Sequence, residues 1–214
     1  MKGTILIGLG FRARSGKDTA AAEIKKQRGN EYKLEIIPFA KALKQEVNEL
    51  ASAAGGMKNL FTPNRNFVLA DGYYIDFPAW VQYDPEAPTD DPYCPLGKQR
   101  SLLQFYGTEV RRAQDKNYWI KKHTEAVAES TADIVLVPDL RFTNEMVYIL
   151  KYGEAVRVDR AGLPPATHES ETALEDSTDW SLILENNGTL EEFKEGAVTC
   201  FDELMTNFPH GVLS

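Results

Sequence analysis

Only two cysteines, Cys94 and Cys200, occur in 214 residues, and they form neither a metal-ligand spacing nor a disulfide pattern. That scarcity argues against a cross-linked secreted scaffold and a cysteine-based zinc site, and it points to a reducing, cytosolic setting. Long apolar runs are missing as well: nothing approaches the ~20 residues needed to cross a bilayer, so no membrane role is expected. The opening Met1-Lys2-Gly3-Thr4 lacks the basic and apolar regions of a secretion signal. Positive charge is in deficit. With 24 Lys and Arg against 32 Asp and Glu, a net charge of −8, the chain is not built to coat a nucleic-acid polymer, which depends on clustered lysine and arginine. There is no internal repeat and no low-complexity tract. What is present is an ordinary globular composition, 43% hydrophobic and 26% charged, in a chain long enough to bury a core unaided. We expect one domain over residues 1–214.

The most informative stretch follows the apolar run Thr4-Ile5-Leu6-Ile7. It reads Gly8-Leu9-Gly10-Phe11-Arg12-Ala13-Arg14-Ser15-Gly16-Lys17-Asp18-Thr19 and leads into a string of alanines. Strand, tight polar loop and helix start are the order of a phosphate loop, in which backbone N–H groups point inward and a lysine reaches over them. Such a loop suits a nucleoside triphosphate. Two departures stand out: Phe11 occupies the position where the pattern has Gly, and Asp18 stands where a Ser or Thr metal ligand would follow Lys17. Either the Asp18 carboxylate or the Thr19 hydroxyl faces a magnesium ion, since Mg²⁺ takes hard oxygen ligands. The spacing does not choose between them.

The remaining chain alternates strand and helix signals, which predicts an α/β fold with a parallel sheet. Helix is expected from Asp18 to about Lys26, strand at Leu34–Ile37, and helix from Lys41 to about Ala54, ended by Gly55-Gly56. Residues 57–99 then lose periodicity among prolines and acidic residues, and are expected to be an irregular insertion carrying substrate contacts. Regular structure resumes from about Arg100 to Ala128, with a break near Asp115-Lys116-Asn117. The run Ile134-Val135-Leu136-Val137, closing at Pro138-Asp139, predicts a strand buried on both faces. A helix after Thr143, strands near Ala155–Val158 and Leu182–Leu184, and a last helix capped at Thr189 by Glu192 complete the pattern. Residues 159–179 form a polar, lid-like segment.

Several polar groups stand out. On an α-helix, Arg100, Gln104, Gly107, Thr108 and Arg111 fall on one side, opposite Leu102, Leu103, Tyr106 and Val110. Arginine forks suit phosphate, and an amide such as Gln104 can read a base edge. Asp139 ends a central strand, where ligands of open α/β sheets collect, with Arg141 and Glu145 close behind. Arg160 is placed to close over phosphates, whereas His168 reads as a hydrogen-bonded structural histidine. Asn186-Asn187-Gly188-Thr189 is a turn suited to meeting a nucleotide base.

Six segments taken in order resemble the bacteriophage deoxynucleoside monophosphate kinases. These are Arg14-Ser15-Gly16-Lys17-Asp18-Thr19, Phe39-Ala40 with Leu43-Lys44, Leu103-Gln104 with Gly107-Thr108, Asn117-Tyr118-Trp119, Val137-Pro138-Asp139 with Arg141 and Glu145, and Asn186-Asn187-Gly188-Thr189. The likeness spans nearly the whole chain. It implies a three-layer P-loop NTPase fold, ATP and Mg²⁺ as the phosphoryl donor pair, a deoxynucleoside monophosphate acceptor, a homodimer, and residence in the host cytoplasm. Arg14, Ser15, Gly16, Lys17, Asp18, Thr19 and Asn187 would hold the donor, with Asp18 and Thr19 toward the metal. Leu43, Lys44, Arg65, Arg100, Gln104, Gly107, Thr108, Trp119, Asp139, Arg141 and Glu145 would surround the acceptor, Trp119 walling its base. Lys17, Arg141, Arg160 and Asp139 would serve the transfer itself. Phosphomevalonate and dephospho-coenzyme A kinases share the scaffold, and a regulatory protein that holds ATP without transferring it is the reading from another class.

Overall fold

The computed structural model describes residues 3–61, 67–69, 72 and 74–208. Its elements, in order, begin with β1 (Ile5–Gly10), α1 (Lys17–Arg28), β2 (Leu34–Ile36), α2 (Ala40–Ala53), α3 (Met57–Leu60), β3 (Phe67–Val68) and β4 (Tyr74–Ile75). They continue with α4 (Arg100–Phe105), a π-helical segment (Tyr106–Arg112), α5 (Tyr118–Glu129), β5 (Ile134–Leu140), α6 (Thr143–Tyr152), β6 (Gly153–Asp159), α7 (Glu169–Thr172), β7 (Leu182–Glu185) and α8 (Leu190–Thr206). The chain divides into two compact units: Met1–Phe39 joined with Ile120–Ser214, and Ala40–Trp119.

The first unit is a three-layer α/β structure, with helices on both faces of a parallel sheet. Its five strands lie in the order β2-β5-β1-β6-β7, and every neighbouring pair is parallel. Strand β1 sits in the middle and is buried along its whole length, which explains why its sequence is a continuous apolar run rather than an alternation. Ile5, Ile7 and Leu9 join Ala20, Ala21 and Ile24 of α1 and Phe193, Ala197 and Phe201 of α8 on one face of the sheet. Leu6 shares the other face with Val127 of α5 and with Met146 and Ile149 of α6. Buried β5 lies between β2 and β1, as the run at 134–137 predicts, and extends three residues beyond it to Leu140. Thr189 caps α8 reciprocally with Glu192, as expected.

In the second unit, β3 and β4 form a short antiparallel pair. Val47 and Ala51 of α2 share an apolar cluster with Leu60, Ile75, Leu102, Tyr106, Val110 and Trp119. The proline-rich stretch is therefore not without order: beyond β4 it is a succession of turns held by hydrogen bonds such as Val81 N–H to the Pro78 carbonyl and Lys98 N–H to the Pro88 carbonyl. The helix expected from Arg100 is also different in kind. It passes at Tyr106 into a π-helical segment, which alters the angular spacing of side chains. Arg111 and Tyr106, placed on opposite sides by an α-helical reading, instead meet at Glu46, whose Oε2 accepts from the Tyr106 hydroxyl at 2.8 Å and from Arg111 Nε at 3.1 Å. A half-buried carboxylate that needs donors draws both inward.

Gly153 begins β6 against Leu6, and a Cβ there would lie 1.9 Å from the Leu6 carbonyl oxygen. Backbone, not a movable side chain, is the obstacle. Gly153→Ala is expected to destabilise the protein by about 3 kcal/mol or more, seen as a lower urea midpoint at an unchanged slope.

Candidate nucleotide-binding site

The loop between β1 and α1 departs from ordinary backbone at three places. Phe11 has φ 94°, Arg14 φ 62° and Gly16 φ 109°, all in the left-handed region that costs a non-glycine residue about 1–3 kcal/mol. Such alternation turns successive amides toward one centre, making a concave anion nest at the start of a helix. Phe11 thus takes the conformation for which the usual pattern carries glycine. Its ring is buried, with the Arg157 guanidinium 3.9 Å from its centroid, and this packing helps to offset the strain. At Gly16 only glycine fits, because a Cβ would meet Asn186 Nδ2 at 2.6 Å and the Phe193 ring at 2.9 Å. Asn186 Nδ2 in turn donates to the Ser15 carbonyl at 2.8 Å, so the turn after β7 fixes the loop from behind. Sequence reasoning carried over Asn187 and left out Asn186, although the Asn186-Asn187 pair was the signal.

Lys17 is 4% exposed. Its Nζ donates to the Arg12 carbonyl and, at 3.1 Å, to Ser15 Oγ. Burial and then the neighbouring positive charge of Arg141 push its pKa down to about 8, partly opposed by Asp18, Asp139 and Glu171. Further cations gather in the same unit. Arg160 Nη1 donates to the Arg14 carbonyl at 3.4 Å, and Arg12 pairs with Glu175 at 2.6 Å.

The residues beyond β5 have structural partners as well. Asp139 Oδ1 accepts from the Phe39 N–H at 2.8 Å, tying the chain after β2 to the end of β5. Glu145, almost fully buried, accepts from the N–H groups of Arg141 and Phe142 at 2.9 and 3.1 Å and so caps α6. Arg141 Nη1 donates to the Ser170 carbonyl at 3.2 Å. Asn187 Oδ1 accepts from the Ala161 N–H at 2.8 Å, joining the turn after β7 to the polar 159–179 segment. His168 caps α7, its Nδ1 accepting from the Ser170 N–H at 3.2 Å.

The residues expected around an acceptor lie mostly in the second unit. Trp119 is buried, and its indole N–H donates to the Gly107 carbonyl at 3.0 Å. Leu43 packs on Gly107, where a Cβ would come 3.0 Å from Leu43 Cδ2. Gln104 and Thr108 are half-buried and Arg100 is exposed. Lys44 pairs with Asp91 at 2.7 Å. Arg65 lies outside the described residues.

The loop suits a polyphosphate on its own geometry: positive φ at Phe11, Arg14 and Gly16, and buried donors, Arg12 Nε and Arg157 Nε, that have no hydrogen-bond partner. Among the described residues no group of three or more His, Cys, Asp or Glu could hold a metal by itself. Magnesium at phosphates needs only one or two protein oxygens, and exposed Asp18 with half-buried Thr19 can supply them.

Fold and loop together define an α/β protein with a strained, donor-rich loop between its first strand and first helix. No model of a protein family matches the chain. The chain is 28% identical over 213 residues to a protein of Acanthamoeba polyphaga mimivirus named "Putative deoxynucleotide monophosphate kinase", an overlap covering 92% of this chain and 96% of that one. Among solved structures, it is similar to dephospho-CoA kinase from Campylobacter jejuni, with a TM-score of 0.48 and 12% identity over 97% of this chain and 100% of that one. No helix among the described residues is long and apolar enough to cross a membrane.

The depressed Lys17 pKa has a consequence for stability. Below about pH 8 the lysine is charged in both folded and unfolded chains, and its burial costs up to about 3 kcal/mol. Between about 8 and the ordinary value of 10.5, the unfolded chain binds the extra proton, so stability rises with pH. Lys17→Met is expected to remove that rise, measured as the difference between wild-type and variant urea midpoints from pH 7 to 10.

Proposed function

We propose that the protein is a deoxynucleoside monophosphate kinase, transferring the γ-phosphoryl of ATP to a deoxynucleoside 5′-monophosphate and releasing ADP and the diphosphate. The observation that carries this reading is the strained loop at residues 11–16, with Lys17 buried beneath it and Arg141, Arg157 and Arg160 from two other segments around the loop and its lysine. Likeness to the mimivirus protein along nearly the whole chain supports the acceptor class.

In this reading the loop amides and Lys17 hold the β- and γ-phosphates, while Arg14, Ser15, Gly16 and Asn187 shape the donor pocket. Phosphoryl transfer is in line: the bond from the γ-phosphorus to the ADP oxygen breaks as a bond to an acceptor phosphate oxygen forms, and that oxygen carries no proton to remove. The chain's task is therefore positioning and charge. Lys17, Arg141 and Arg160 stabilise the charge on the transferring group, and Asp139 keeps the end of β5 in register with Phe39. Asp18 and Thr19 would hold Mg²⁺, which would supply neutralisation of the phosphate charge. Leu43, Lys44, Arg65, Arg100, Gln104, Gly107, Thr108 and Trp119 shape the acceptor side, with Arg141 and Glu145 ordering the end of β5.

An ADP-release assay with the four deoxynucleoside monophosphates, dephospho-coenzyme A and phosphomevalonate tests the reading. Turnover is expected with at least one deoxynucleotide; turnover confined to one of the other two acceptors, or ATP binding without turnover, rejects it. Lys17→Ala is expected to retain the fold and less than a tenth of the rate, a barrier change above about 1.4 kcal/mol. Binding of a triphosphate at pH 8.5 is expected to take up a proton, because phosphate charge restores the ammonium of Lys17. Titration calorimetry in buffers of different ionisation enthalpy measures that uptake.

A further inference from the structure

Within the second unit, three lysines converge on one carboxylate and one aromatic ring. Lys41 and Lys44 stand three apart on α2, so they share a helix face, and their ammonium groups lie 5.7 and 5.8 Å from the centroid of the Tyr93 ring. Asp91 Oδ2 meets Lys44 at 2.7 Å and Lys98 at 3.5 Å, and its Oδ1 accepts from the Tyr93 N–H at 3.1 Å. Burial by itself would raise the pKa of Asp91, but its hydrogen bond with Lys44 and the charge of that lysine outweigh burial and hold it low. Asn48, one turn beyond Lys44, accepts from the Leu96 N–H at 3.3 Å and secures the 91–98 segment to α2.

The charges in this cluster do not balance. Two ammonium groups meet the Asp91 carboxylate and a third lies over the adjoining Tyr93 ring, leaving a surplus of two positive charges. Asp90, the next acid along the chain, is exposed and makes no ion pair among the described residues. The protein as a whole carries a net charge of −8, so three lysines collected at one place need a ligand or function to explain them better than general surface charge does. A phosphate monoester carries about −1.5 to −2 near pH 7, which matches the surplus. Compact ammonium groups on flexible stems suit its three oxygens, and the Tyr93 ring adds a flat face beside them.

We propose that Lys41, Lys44 and Lys98, gathered by Asp91 and Tyr93, bind the phosphate of a phosphate-monoester acceptor, and that Asp91 is the counterion this phosphate displaces from Lys44. That the monoester is a deoxynucleoside monophosphate rests on the proposed kinase function. Lys98 is the most exposed of the three residues ion-paired in this cluster, its side chain 45% accessible, so its removal is expected to leave the fold intact. Asp91 competes with the ligand for the same ammonium groups.

Titration calorimetry on the full chain tests the site, with each deoxynucleoside 5′-monophosphate, the parent deoxynucleosides and inorganic phosphate as separate probes. Lys41→Ala and Lys98→Ala are each expected to weaken monophosphate binding about tenfold, the loss of one charge-assisted contact, with binding of a non-hydrolysable ATP analogue unchanged. Asp91→Asn is expected to tighten monophosphate binding several-fold; a merely structural Asp91 would weaken it. Stronger binding of inorganic phosphate than of any nucleotide would assign the site to free phosphate and reject the acceptor reading. Monophosphate affinities within twofold of wild type in both lysine variants, weakening in Asp91→Asn, or no monophosphate binding by the wild type would each overturn the site. Turnover is read apart from these: monophosphate binding that follows the expected pattern without ADP release counts against the kinase reading and leaves the phosphate site standing.

Discussion

A buried ammonium group constrains everything at the carboxyl end of this sheet. Lys17 sits almost out of water with a backbone carbonyl and a serine hydroxyl as its partners, and an unpaired cation in such a place would be expensive. Burial and Arg141 both work against its charge. The loop around it therefore holds a strained, donor-rich shape, which under the proposed function becomes favourable when anionic oxygens enter. In that reading the amides and cations are in position before any phosphate arrives, so little reorganisation is needed when charge develops.

That shape is maintained from several directions. Arg157 covers the Phe11 ring, Asn186 holds the Ser15 carbonyl, and Phe193 of α8 closes the space beside Gly16. Asp139 and Glu145 use their carboxylates on backbone N–H groups, which positions Arg141 between them and gives these acids a scaffolding duty in addition to whatever they contribute toward a ligand. In the second unit Glu46 has a comparable part, gathering Tyr106, Arg111 and Tyr118 around one carboxylate. Carboxylates with two or three donors are well satisfied, and they lock the local backbone where a segment departs from regular geometry.

Much of the first unit was legible in the sequence because its strands are buried on both faces. Runs such as Ile134-Val135-Leu136-Val137 have little use except in the interior of a parallel sheet, and Thr189 with Glu192 marks a helix start by local chemistry alone. The segment from Arg100 to Arg112 was not legible in the same way. Its residues satisfy a 3.6-residue period, yet the backbone widens at Tyr106 because Glu46, 60 positions earlier, supplies the acceptor that both Tyr106 and Arg111 seek. No window of local sequence contains that partner. The acidic, proline-rich stretch hid its content for a similar reason: Asp91 reads as surface charge until Lys44 and Lys98 are seen against it.

The sequence by itself determined the alternation of strands and helices, the place of the phosphate loop and the lysine within it, since periodicity, turn chemistry and capping act between near neighbours. Only the tertiary structure decided that Phe11 adopts a glycine-like conformation beneath Arg157, that Asn186 holds the loop at the Ser15 carbonyl, and that Lys44 and Lys98 share one carboxylate with Lys41 beside them over the Tyr93 ring. Those outcomes depend on contacts between residues far apart in the chain, where packing and charge balance are settled by what the fold brings within a few ångströms and not by what lies next in line.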